Sequence, residues 1–161
     1  MNFRDKLIAW DKLPAWRAAL RAAGKTLVVT NGCFDLLHVG HVSYLESARH
    51  LGGALLVGVN GDDSARQLKG EGRPVNSETD RATVLAGLAS VDGVCIFAEK
   101  TAVKFLTTAQ PDIYVKGGDY TPDTLNQDER RAVESAGAKI VIIPFVPGKS
   151  TTALLKKISS L

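Results

Sequence analysis

The stretch Thr30-Asn31-Gly32-Cys33-Phe34-Asp35-Leu36-Leu37-His38-Val39-Gly40-His41 lies between an apolar run, Thr26-Leu27-Val28-Val29-Thr30, and an amphipathic pattern from Val39 to Leu51. The run reads as a strand buried on both faces and the pattern as a helix, so the stretch is a strand-to-helix turn. The same alternation continues outward. Apolar runs at 54–59, 94–97, 113–115 and 140–143 are separated by helical patterns at 62–68, 78–90, 102–109 and 125–136. Strand, helix, strand in repetition predicts an α/β fold: a Rossmann-like three-layer α/β/α domain with a parallel five-stranded sheet and right-handed crossovers.

The ends carry local signals. Pro14, Trp16, Leu20 and Ala23, closed by Gly24, predict an amphipathic first helix packed on the sheet within residues 1–24. Ser150-Thr151-Thr152 ahead of Ala153-Leu154-Leu155 predicts a capped start to a last helix. The 161 residues suit a single domain over 1–161, since one hydrophobic core serves roughly 100–200 residues.

With 45% hydrophobic and 23% charged residues, neither a disordered nor a fibrous chain fits. The 20 basic and 17 acidic residues are interleaved and leave +3, so no nucleic-acid or membrane surface is expected. Cys33 and Cys95 form no CxxC pair, which argues against a disulfide scaffold or a cysteine zinc site. Residues 1–6 lack a signal-peptide apolar region and no stretch approaches the roughly 18 apolar residues of a membrane span, which predicts a cytoplasmic protein.

In an open parallel sheet, ligands bind beyond the carboxyl ends of the strands, where the opening stretch lies. Gly32 lets the backbone approach a phosphate, and Gly40 lets a helix N-terminus do so. His38 and His41, three apart, can donate to one anion. Zinc competes for such a pair, but the third histidine, His50, sits nine residues beyond His41 and away from the helix mouth. The arrangement suits a nucleotide polyphosphate, with no resident metal site.

Asn31-Gly32-Cys33-Phe34-Asp35 followed by His38-Val39-Gly40-His41 resembles the HxGH nucleotidyltransferase superfamily. Gly148-Lys149-Ser150-Thr151-Thr152 is similar to that superfamily's second signature, the start of a late helix that binds the departing phosphates. Three further segments, 68–75, 80–86 and 114–120, resemble the adenylyltransferase domain of bacterial ADP-heptose synthesis. That family uses ATP and D-glycero-β-D-manno-heptose 1-phosphate to make ADP-heptose for the lipopolysaccharide core. The similarity runs from near Leu13 to the C-terminus. The domain is often fused behind a sugar kinase; this sequence resembles the separate form, which implies a separate kinase and phosphatase upstream. The resemblance leaves a homodimer open.

The implied reaction is in-line attack of the sugar phosphate on the α-phosphorus of ATP, which needs no enzyme nucleophile and relies on positioning and charge. The resemblance implies catalytic roles for His38, His41 and Lys69. It implies nucleotide contacts from Asn31, Gly32, Cys33, Phe34, Gly40, His41, Asn60, Asp62, Arg81, Lys116, Gly117, Gly118, Asp119, Ser150, Thr151 and Thr152. Mg²⁺ is expected to bind mainly through substrate phosphates and water. Asp62 serves either the ribose or the start of its helix, Asp35 more often caps backbone amides than meets a metal, and Arg73 suits solvated surface better than ligand contact. Cys33 reads as a small buried residue, and Trp10 and Trp16 as packing residues. Two other functions share these features: a cytidylyltransferase for another small phosphorylated alcohol or sugar, and a nucleotide-binding module without catalysis.

Overall fold

A computed structural model describes every residue except Met1, Asp119 and Phe145. Five strands, β1 (Leu27–Gly32), β2 (Ala54–Asn60), β3 (Gly93–Phe97), β4 (Ile113–Gly117) and β5 (Lys139–Ile143), form one parallel sheet in the order β3-β2-β1-β4-β5. The helices are α1 (Leu13–Ala22), α2 (Val39–Arg49), α3 (Asp62–Lys69), α4 (Glu78–Ala86), α5 (Val103–Ala109), α6 (Gln127–Ser135) and α7 (Thr151–Ser159). The α/β/α architecture is the one expected from the alternating pattern.

Right-handed crossovers explain which face each helix covers. From β1 the chain steps outward through β2 to β3, then returns across β1 to β4 and β5, so the helices change face between the two halves. Leu45 and Ala48 of α2 and Ala82, Leu85 and Ala86 of α4 join Val28, Leu55 and Val57 in one core cluster. Phe105 and Leu106 of α5 and Val133 of α6 join Leu27, Val29 and Leu56 in the other. Leu13, Trp16 and Leu20 of α1 pack into that second cluster. Alternate residues of β1 and β2 therefore feed opposite cores, as the pleat requires.

Some boundaries moved for local reasons. β1 runs two residues past its apolar run because Asn31 and Gly32 pair with Gly58 and Val59. The helix expected over 78–90 ends at Ala86, where Gly87 caps it. The pattern at 125–136 begins at Gln127, because the Asn126 side chain accepts the N–H groups of Asp128 and Glu129. Short 3₁₀ turns at Phe3–Lys6 and Trp10–Lys12 flank a bridge from Leu7 to Val94, which lays the N-terminal segment beside β3. Among the described residues no helix is long and apolar enough to cross a membrane.

Gly58 permits a close approach of α5 to β2. A Cβ there would stand 2.4 Å from the Phe105 ring, which is fully buried and stacked on Phe97 with centroids 5.2 Å apart. Gly58→Ala should therefore lower stability by about 1–3 kcal/mol, the usual cost of overpacking. A urea midpoint measures this, and Phe105→Leu in the same chain should recover part of the loss.

Candidate active site

The connections that leave the adjacent strands β1 and β4 run to opposite faces, so β1 and β4 form a switch point where a crevice opens beyond their carboxyl ends. A cavity of about 660 Å³ occupies it, floored by Asn31, Gly32 and Cys33 of β1 and its turn and by Lys116 and Gly117 of β4.

The turn after β1 is held by buried charges. Asp35, whose side chain is 2% exposed, accepts from Arg73 Nε at 2.6 Å, from Val75 N–H at 2.9 Å and from Asn76 N–H at 3.0 Å. Burial opposes its charge, but these donors outweigh it and keep the carboxyl below its ordinary value. Asp35 thus clamps backbone amides of the loop before α4. Phe34 adopts a left-handed conformation (φ 46°), which turns its ring back over Gly32; a Cβ at Gly32 would meet that ring at 3.1 Å. The Phe34 ring is thus one reason for glycine at 32, whose backbone lines the cavity.

Arg81 requires a correction. Its side chain has no exposure and does not line the cavity: it donates to the carbonyls of Asn76 and Cys33 and to Asp62 Oδ1 at 2.8 Å. A guanidinium so committed braces the wall and has no donors directed at a ligand. Asp62, its partner, is likewise outside the lining and opens α3 while its N–H donates to Glu78. The two residues form an ion pair in which Arg81 is wholly buried and the Asp62 side chain stays partly exposed at the start of α3.

His38 is the N-cap of α2, and its Nδ1 accepts the Gly40 N–H at 3.1 Å. A neutral ring so held carries its proton on Nε2, where it can donate. A Cβ at Gly40 would stand 2.9 Å from that ring, so the glycine lets His38 lie against its own helix. His41 stacks on His38 with centroids 4.0 Å apart. Burial disfavours the His41 imidazolium, and His38 and Lys69 add repulsion, so its pKa falls to about 4. His38 is lowered by burial and by Lys149. Buried Nδ1 of His41 has no hydrogen-bond partner among the described residues. At neutral pH both rings are neutral donors.

Across the cavity, Ser150 caps α7 by accepting the Ala153 N–H at 3.0 Å, leaving the first-turn N–H groups of Thr151 and Thr152 without helical acceptors. The Thr151 hydroxyl donates to the Leu36 carbonyl at 3.1 Å and ties this helix start to the β1–α2 turn. Lys69, Arg73, Lys100, Lys116 and Lys149 add charge around the same hollow. Burial pushes the Lys116 ammonium down while Glu129 pulls it up, and its Nζ lies 5.8 Å from the Tyr114 ring centre. Burial also raises the Cys33 thiol, so it stays protonated.

The cavity thus gathers His38, His41, Lys69, Asn31, Gly32, Cys33, Phe34, Gly40, Asn60, Lys116, Gly117, Ser150, Thr151 and Thr152. Gly118 (φ 96°) makes the turn after β4 and borders an adjoining hollow beside α7; Asp119 lies outside the described residues. Arg73, set down as surface, lines the cavity, and so do Lys149 and Glu129. Glu129 sits in a charged run, Gln127-Asp128-Glu129-Arg130-Arg131, that reads as a solvated face. Its spacing of four from buried Val133 was the signal that it points inward.

A family model described as cytidylyltransferase-like matches residues 29–160. The "Bifunctional protein HldE" of Geotalea uraniireducens (strain Rf4) is 51% identical over 148 residues, covering 92% of this chain and 30% of that protein. Its namesake from Citrifermentans bemidjiense (strain ATCC BAA-1014 / DSM 16622 / JCM 12645 / Bem) is 52% identical over 156 residues, covering 97% of this chain and 32% of that one. The chain therefore spans about 30% of the length of these curated relatives. A solved lipopolysaccharide core biosynthesis protein from Thermoplasma volcanium GSS1 is 28% identical with a TM-score of 0.63, covering 76% of this chain and 98% of its own.

Two titrations test the geometry. Asp35, depressed in the folded state, contributes stability above the ordinary carboxyl value of 3.8 and loses it as pH falls through its own lower value. Asp35→Asn should therefore melt below the wild type at neutral pH, with the gap narrowing below pH ~4. His41, near 4 in the free protein, should titrate higher in Lys69→Met, which removes a repelling charge, and higher again when pyrophosphate is added. Ring-proton NMR reads both shifts; an unmoved His41 in Lys69→Met removes Lys69 from its surroundings.

Proposed function

The chain belongs to the cytidylyltransferase-like family and is a nucleotidyltransferase; from that premise we propose that it transfers AMP from ATP to D-glycero-β-D-manno-heptose 1-phosphate for lipopolysaccharide core synthesis. The observation that carries the phosphate chemistry is the meeting of two helix starts, α2 with its stacked histidines and α7 with its capped first turn, at one cavity rim. The α7 start offers the N–H groups of Thr151 and Thr152, the α2 start offers the His38 ring Nε2–H, and both ends add partial positive charge toward an anion. The likeness to HldE proteins supports the choice of sugar.

In this reading a phosphate oxygen of the sugar 1-phosphate attacks the α-phosphorus of ATP. The bond from that phosphorus to the β-bridging oxygen breaks, and its electron pair leaves with pyrophosphate. The nucleophile is already an anion, so the protein's task is positioning and stabilising charge. His38 through Nε2–H, with His41 beside it, donates to phosphoryl oxygens as charge shifts to the leaving group. Ser150, Thr151 and Thr152 hold the β and γ phosphates. Lys69 offsets charge around the α-phosphate, and Lys116 receives the acceptor's phosphate. Asn31, Phe34, Asn60 and Gly117 enclose the nucleoside.

Mg²⁺ brought by ATP would be held mainly by phosphate oxygens and water and would offset phosphate charge there. Asp35 at the cavity is already occupied by Arg73 and backbone N–H groups, which suits a cation held by its substrate's oxygens. A kinase and a phosphatase would supply the sugar 1-phosphate.

Pure protein with Mg²⁺, ATP and the heptose 1-phosphate should release pyrophosphate and form ADP-heptose. Release with CTP and none with ATP would instead identify a cytidylyltransferase. His38→Ala and His41→Ala should each lower kcat about 10²–10³-fold, the range for losing one transition-state donor, while ATP affinity falls less. Turnover that survives both changes would remove the histidines from the chemistry, and full ATP binding without turnover in the wild type would favour a non-catalytic module.

A further inference from the structure

Glu129 is the feature of the cavity that phosphate chemistry does not use. The residue is 7% exposed and lines a hollow whose other charged walls include Lys69, Lys100, Lys116 and Lys149. A carboxylate placed there repels polyanions, at a Coulomb cost that grows as water is excluded. Its Oε1 accepts the Ala102 N–H at 2.8 Å and its Oε2 meets the Tyr114 hydroxyl at 3.2 Å. An ionised carboxylate offers about four lone-pair positions, so these two bonds leave acceptor capacity toward the cavity. The group that satisfies an unfilled carboxylate without charge repulsion is a hydroxyl.

Position narrows which hydroxyl. The histidines stand on α2, whose buried side chains join one core cluster. Glu129 stands on α6, whose Val133 joins the opposite cluster, as does Ala102 directly after Thr101. Under the reading above, pyrophosphate leaves toward the starts of α2 and α7. In-line displacement sets the nucleophile on the far side of the α-phosphorus from the leaving group, which is the side of α5 and α6. Lys116, held between by the pull of Glu129 and lying over Tyr114, is placed for the acceptor's phosphate. The neutral, hydroxyl-bearing part of the acceptor then extends to Glu129.

We propose that Glu129 reads ring hydroxyls of the acceptor sugar, with Thr101 of the same cavity lining, and so determines which sugar 1-phosphate is used. The inference rests on the transferase reading above and adds the residue that selects its acceptor. A second consequence is that the carboxylate discourages a nucleotide polyphosphate from binding in reverse, with its phosphates over α6.

Steady-state kinetics on the full chain test this, with ATP and sugar 1-phosphate varied separately for wild type, Glu129→Gln and Thr101→Val. Glutamine keeps an acceptor for Ala102, and a melting curve checks that each variant is folded. Glu129→Gln should raise KM for the heptose 1-phosphate about tenfold to a hundredfold, the effect of losing a hydrogen bond to a charged group. KM for ATP should change less than about twofold, and preference for the heptose over mannose 1-phosphate should fall. Thr101→Val, which removes a hydroxyl and no backbone support, should raise the same KM severalfold and tests the subsite if Glu129→Gln does not fold. A rise confined to KM for ATP would assign Glu129 to the ribose, and unchanged constants and selectivity would leave it a purely structural cap; either overturns the proposal. Wild-type protein that turns over no sugar 1-phosphate removes the transferase reading and this inference together, whereas normal wild-type turnover with unaltered variants removes this inference alone.

Discussion

The carboxylate of Asp35, almost wholly withdrawn from water, joins three segments that have no sequence proximity: the turn after β1, the loop through Arg73, and the start of α4. Arg81 completes the joint from the other side through Cys33, Asn76 and Asp62. A buried charge is tolerated only when its bonding capacity is filled, and removing one partner leaves the other exposed to the full desolvation penalty. The lock is therefore cooperative. Because it fixes the turn immediately before His38, the placement of both imidazoles depends on it, although neither Asp35 nor Arg81 touches them in the hydrogen-bond network.

A hollow edged with cations would repel itself if every group carried full charge. The chain limits this in three ways. Arg73 is neutralised by Asp35, Lys116 is balanced by nearby Glu129, and the histidines are kept neutral by burial and by neighbouring positive charge. What remains is a set of oriented dipoles, N–H donors and helix starts, whose orientation costs nothing further when an anion arrives. Nδ1 of His41, buried and without a hydrogen-bond partner among the described residues, is the expense of this arrangement.

The strands were legible because parallel strands buried on both faces are continuous apolar runs, and every run marked a real strand. The first turn and the late helix start were legible because glycine, histidine and hydroxyl residues are costly choices unless a backbone or an anion needs them. Arg81 was misread because an arginine near a ligand-binding edge looks the same in sequence whether its donors face solvent, ligand or protein. Only the fold brings the Cys33 carbonyl, 48 residues away, onto its guanidinium. Glu129 was missed for the converse reason: surrounded by Asp128, Arg130 and Arg131, it had the appearance of solvated surface, and the choice between outward and inward is made by a helix register fixed by Val133. Gly58 carried no signal at all, since the ring that requires it arrives from α5.

The switch of helix faces at β1 and β4 has a chemical corollary. α2, before the switch, and α5 and α6, after it, bring their N-termini to opposite sides of the crevice, and α7 returns to the side of α2, so a ligand bridging the crevice meets two differently built walls. One wall is rich in N–H donors and suits oxygen anions; the other carries a carboxylate and hydroxyls and suits a neutral polyol. Transfer between two phosphorylated molecules needs this polarity, because like charges must be drawn to the reacting centre while their uncharged parts are held apart. The Thr151–Leu36 hydrogen bond fixes the anionic wall at both its helix starts, and the Tyr114 hydroxyl, within reach of both Asn31 and Glu129, connects the other wall to the same strand end. In the proposed transfer β1 is thus the common reference for both substrates, and displacement of that one strand end would misalign nucleophile and leaving group together.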